Sequence, residues 1–168
     1  MANRLRVISD TGQNLRHNID DPNGAPARGA TATDGTLTNL PVPPATAGAT
    51  ATGVTGAGYT NNDLNAATAT TLFDVDTMND QIAVQSPANA GNLAPTGKLG
   101  VDAATDAGFD VYSRLSNGVT VSNTAYATLK VRGAYRFSTV NLLTGAANLV
   151  GTFPGNRQVT DIAVRLDR

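Results

Sequence analysis

A chain of 168 residues is long enough to bury one real core, and its formal net charge of −1 leaves no basic field to hold phosphates. The absence of cysteine excludes a disulfide framework and thiolate chemistry. All 13 acidic residues are Asp and the only lysines are Lys98 and Lys130, so the strong helix formers Glu and Lys are nearly missing.

Thr, Ala, Gly, Asn and Asp dominate instead, which suits strands joined by tight turns. No window carries a helical pattern, and no apolar run approaches the ~18 residues of a membrane span. No signal peptide is visible: Met1-Ala2-Asn3-Arg4 leads directly into a strand, which reads as a trimmed or engineered start. The composition resembles that of secreted bacterial β proteins.

In chain order, Arg4–Ser9 alternates, with Leu5 and Val7 opposite Arg4 and Arg6. Asp10-Thr11-Gly12 turns, and Gln13–Asp20 returns with Leu15, His17 and Ile19 on one face, which predicts a β-hairpin. Residues 21–50 are rich in turn chemistry, and a short strand over Thr36–Leu40 is expected to close this first unit. Pro41-Val42-Pro43-Pro44 reads as an extended linker.

The second unit opens at Thr52–Thr60, a glycine-rich strand whose missing side chains would let strands crowd together near a propeller axis. A loop follows from Asn61 to Ala69. Thr70–Asp76 and Gln81–Gln85 make a hairpin, and Asn92–Gly100 is an edge strand containing Pro95. The third unit is the clearest. Ala107–Ser113 opens it, and in Thr124–Arg132 the residues Ala125, Ala127, Leu129 and Val131 fall on one face. Gly133 breaks the run, a second alternation passes through Tyr135 and Phe137, and a turn at Leu143-Thr144-Gly145-Ala146 leads to Ala147–Phe153. A last alternation, Gln158–Asp167, carries Ile162, Val164 and Leu166 on one face.

These strands predict an all-β fold, a β-propeller of four-stranded antiparallel blades. One propeller-like domain spans 1–168, with blade units at about 4–40 (completed by 158–167), 52–100 and 107–153. Three blades are too few for a ring that needs about 4–8. Two chains supply six, each C-terminal strand completing its partner's first blade, so a six-bladed homodimer is expected.

Several runs carry a resemblance. They are VISDTGQNLR at Val7–Arg16, AGYTNND at Ala57–Asp63, TLFDVD at Thr71–Asp76, GVDAATDAGFDV at Gly100–Val111 and NTAYATL at Asn123–Leu129. In this order they resemble a bacterial family of unknown function, whose members are secreted or surface-associated repeat proteins expected to be β-propellers. The resemblance implies an extracellular or cell-surface location and transfers no catalytic residue. Its members look longer at the N-terminus, which implies that this chain is a fragment or a short member.

Three groups of residues are candidate sites. Asp74, Asp76 and Asp80, with Asn79 beside them, offer oxygen ligands at a spacing that could bind Ca²⁺, although Met78 and a missing glycine break the EF-hand pattern. On a strand, Asp74 and Asp76 share a face, read here as the polar one. Asn61, Asn62 and Asp63 form a polar loop cluster suited to a ligand on a propeller rim, and equally to Asx turns. His17, the sole histidine, has no nearby partner for metal or base chemistry and reads as a hydrogen-bonded structural residue.

Asp102, Asp106 and Asp110 could supply a carboxylate pair only if the fold joins them. Arg4, Arg6 and Arg16 read as a solvated strip. No phosphate loop or nucleophile elbow is present. The expectation is a non-catalytic extracellular structural or interaction module with no cofactor. A carbohydrate- or calcium-binding module is the alternative, and an Asp-based hydrolase the third reading. Partners would be a second copy, a glycan or a surface protein, with neither nucleic acid nor membrane insertion.

Overall fold

A computed structural model describes residues 3–167. The expected start at Met1 and Ala2 lies outside the described residues. The architecture is all-β, with three separate sheets and a single 3₁₀ turn at Ala88–Ala90 among the described residues. Among the described residues no helix is long and apolar enough to cross a membrane.

The strands are β1 (Arg4–Ile8), β2 (Asn14–Asn18), β3 (Thr31–Thr33), β4 (Thr38–Asn39), β5 (Val54–Tyr59) and β6 (Leu72–Asp76). They continue as β7 (Gln81–Gln85), β8 (Asn92–Lys98), β9 (Ala107–Ser116), β10 (Val119–Val131), β11 (Ala134–Val140) and β12 (Ala147–Thr152). The first sheet has the order β1-β2-β3, the second β4-β8-β7-β6-β5 and the third β12-β11-β10-β9. Within each sheet consecutive strands run antiparallel, as tight turns dictate. Asn117-Gly118 and Arg132-Gly133 both take positive φ at both positions, the geometry of two-residue hairpins that match strand twist.

Two apolar clusters fill the gaps between sheets. Phe73, Val75 and Ile82 of the second sheet meet Phe109, Val111, Ala127 and Leu129 of the third. On the other side of the second sheet, Leu37, Ala51, Val54, Ala83 and Leu93 pack with Ile8 of the first. All five residues of β6 are buried, because both faces of this strand are covered.

The glycines of the inner strands have a steric role, as the sequence suggested. A Cβ on Gly56 would lie 2.7 Å from Cβ of Phe109, and one on Gly58 would lie 3.1 Å from Cγ2 of Val111. β5 can therefore lie directly on β9.

Four expectations are corrected. First, Thr36–Leu40 does not close the first unit. β3 closes it, and β4 joins the second sheet parallel to β8, because Leu37 beside it is fully buried in the second cluster. The sheets accordingly hold three, five and four strands rather than four each, and β8, expected at an edge, lies between β4 and β7; β4 reaches only Asn92 and Leu93, so Pro95 still has a free side. Second, Gln158–Asp167 runs along β9 but forms no strand. Third, Arg4, Arg6 and Arg16 are not a solvated strip. The arginine face of the first hairpin turns inward, and Leu5 and Val7 face solvent at 51% and 44% exposure. Buried partners explain the inversion: the Arg6 guanidinium bonds Asn14 and Asp34 at 2.7 Å each. Fourth, the face of Asp74 and Asp76 is buried, since it is the one turned toward the first sheet.

Candidate functional site

A cleft of about 650 Å³ lies between β1 and the β5 side of the second sheet. Arg4 and Arg6 line one wall, Tyr59 and Leu72 another, and Asn62 and Leu64 the rim. Asp110 of β9 also reaches it.

The arginines are held rather than free. Arg4 donates to Asn18 at 2.8 Å and to Asp21 at 2.9 Å. That guanidinium, with the Asn23 backbone N–H, keeps the Asp21 carboxyl below the usual carboxylate range. Arg6 also donates to the Asn89 side-chain oxygen at 2.8 Å, tying the first sheet to the turn between β7 and β8. Asn14 adds two bonds across the same seam, to the carbonyls of Gly35 and Ala88. Charge-assisted bonds of this kind position side chains well, and they leave the arginines little freedom to move onto a ligand.

The polar loop residues divide by role. Asn61 lines the cleft, and it exchanges bonds with Asn123: its N–H donates to the Asn123 side-chain oxygen and its own side-chain oxygen accepts from Asn123 Nδ2. Asp63 is buried and accepts from the Thr120 hydroxyl at 2.7 Å and the Thr120 N–H at 2.9 Å. The hydroxyl bond is the main cause that lowers its carboxyl below the ordinary value. Both residues thus pin the loop to the β9–β10 hairpin, in keeping with their Asx chemistry. Asn62 is exposed, and its side chain has no hydrogen-bond partner among the described residues. Leu64 beside it is 81% exposed.

The three aspartates proposed for Ca²⁺ are in unlike settings. Asp76 accepts from the Asn79 N–H, Asn79 Nδ2 and Gln81 Nε2. Asp80 accepts from the Ala103 N–H at 2.8 Å. Asp74 has no partner on either oxygen and lies between Ala57 and Ala83 in the pairing register. Burial pushes its pKa up to about 8, partly opposed by Arg6. Among the described residues no group of three or more His, Cys, Asp or Glu side chains could hold a metal ion.

The remaining candidates are also dispersed. Nδ1 of His17 shares a hydrogen bond with the Thr31 hydroxyl at 3.0 Å. Asp106 accepts from Lys130 and Tyr135, while Asp110 accepts from the Val164 N–H. Asp102 is exposed. The sequence did not mark Arg4, Arg6 and Tyr59 as site residues. The available signal was their alternation opposite apolar residues, and only the sheet packing says which face turns inward.

A family profile described as a domain of unknown function, DUF4394, matches residues 1–163. The chain belongs to the DUF4394 family. No curated protein and no solved structure matches the DUF4394 chain at a significant level.

Proposed function

We propose that this DUF4394 chain is a non-catalytic structural and interaction module of β-propeller type. It acts outside the cell or at its surface, with the cleft beside β1 as its interaction site. One observation carries the reading: the cleft borders an edge strand whose outer side is unpaired among the described residues, and the ionised groups near it are already held by protein partners. An open strand edge is a template for an added strand, whereas bond formation or cleavage needs groups free to exchange protons or attack.

The propeller assignment rests on antiparallel sheets in succession, with inner strands laid on one another through glycines. The extracellular assignment rests on the Glu-free, Lys-poor composition. A panel of hydrolase and oxidoreductase assays on purified protein tests the reading. No turnover is expected, and a reproducible activity lost on a single cleft substitution overturns it.

A second reading, carbohydrate binding, is favoured by Tyr59 and the unpartnered Asn62 side chain in the same cleft. Glycan-array binding lost in Tyr59→Ala would establish it. For calcium, millimolar Ca²⁺ is expected to leave the melting temperature unchanged. The oxygens of Asp76 are already occupied, and those of Asp74 are sealed from solvent. A rise abolished by Asp76→Ala would reverse that assignment.

A further inference from the structure

The two ends of the sheet order are open in complementary ways. In the second sheet β5 pairs with β6, and β6 with β7; in the third, β9 pairs with β10, and β10 with β11. The first sheet begins with β1 at its edge. β1 touches β5 as β6 touches β9, so β1 holds the position of β6. The cleft therefore stands where an inner strand lies in the other two sheets.

At the opposite end the chain carries an inner strand without a sheet. Residues 158–167 lie on β9 as β9 lies on β5. Gly56 meets Phe109, Gly58 meets Val111 and Gly108 meets Asp161. Each contact spans 53 residues (109 less 56, 111 less 58, 161 less 108). Side chains anchor the segment to β9: Asp110 accepts from the Val164 N–H, and Asp167 accepts from the Leu115 N–H. Among the described residues, none of its backbone groups bonds another backbone group. A segment in this state has its ladder bonds still to make.

We propose that the cleft is filled by residues 158–167 of a second copy of this chain, added antiparallel to β1, and that two copies exchange these segments about a twofold axis. This rests on the interaction-module reading above and names its partner. The antiparallel direction follows from the pairs β5–β6 and β9–β10. Within the single chain this segment is tied to β9 through Asp110 and Asp167 and makes no backbone hydrogen bond to β1 among the described residues.

The uncovered faces agree with this exchange. Leu5, Val7 and Ile19 are 51%, 44% and 52% exposed on the first sheet. On the free face of the third sheet, Tyr126 stacks on Phe137 with ring centroids 5.4 Å apart. Exchange lays the first of these faces on the second, twice, in the isologous manner of a closed dimer. It also removes a free strand edge from each copy.

Light scattering on the full chain across a dilution series tests the proposal. The expected mass is twice the 17.2 kDa chain. Ala163→Pro removes a ladder donor that makes no hydrogen bond within the single chain among the described residues, at an exposed position. Leu5→Asp charges a face that is already exposed. Each is expected to weaken dimerisation by at least about tenfold with the circular dichroism spectrum unchanged. If Ala163→Pro fails to fold, Leu5→Asp keeps the test. A wild-type monomer at all concentrations overturns the proposal, as does a dimer that both variants leave intact or an assembly that lengthens without limit. A monomer would leave the non-catalytic reading standing, since only a detected activity removes that one.

Discussion

Asp74 takes a carboxylate into the interior without a donor for either oxygen. Its folded pKa of about 8, against an ordinary 3.8, means that the folded chain holds a proton between those values which the unfolded chain has released. Its contribution is fully present below the unfolded value, declines as pH rises and is lost through about pH 8. Asp74→Asn keeps the shape and removes the titration. Urea melts should show the variant gaining on the wild type from pH 5 to pH 8, by on the order of 2–4 kcal/mol at the upper end. A difference that does not change with pH would sink the account. The sequence marked Asp74 as a metal ligand on a polar face; an alternating strand has two faces, and nothing local says that both will be covered. Asn61 and Asp63 were more legible, because Asx residues seek backbone donors in any loop.

At the scale of elements, the approach of β5 to β9 depends on two glycines. Gly56 has ordinary backbone geometry, so a methyl group there costs contact rather than strain. Gly56→Ala should destabilise the protein by roughly 1–3 kcal/mol, because Phe109 must move. Gly151→Ala, in a strand with open space at that position, should be close to neutral. Equal losses for the two in thermal melts would mean that the inner-strand contact is slack. Most strands were readable because period-2 alternation and turn residues are local signals. Thr36–Leu40 was misplaced because a short strand carries no information about its partner. Leu37 chose the second sheet by burying itself there.

For the whole molecule, the open question is how a fan of three sheets ends. Hydrogen exchange bears on the same twofold exchange as the mass measurement. The β1 amides should become slower to exchange as concentration rises, while those of Ala125–Leu129 in β10, already paired on both sides, should not change. Protection of β1 that is independent of concentration would count against a second copy.

By itself, the sequence determined the all-β class, the turns, the β9–β12 meander and the crowding glycines. Composition, alternation and the need for positive φ act within a few residues of one another. Only the tertiary structure decided which face of the first hairpin is inside, where β4 pairs, and that 158–167 lies on β9 without a ladder. Those outcomes depend on which groups from other segments meet each element: Asn14, Asp34 and Asn89 for Arg6, a pocket for Leu37, and the bonds Asp110 and Asp167 make that tie the last segment to β9. Burial and hydrogen-bond satisfaction are settled between elements, and a single strand's pattern is compatible with either result.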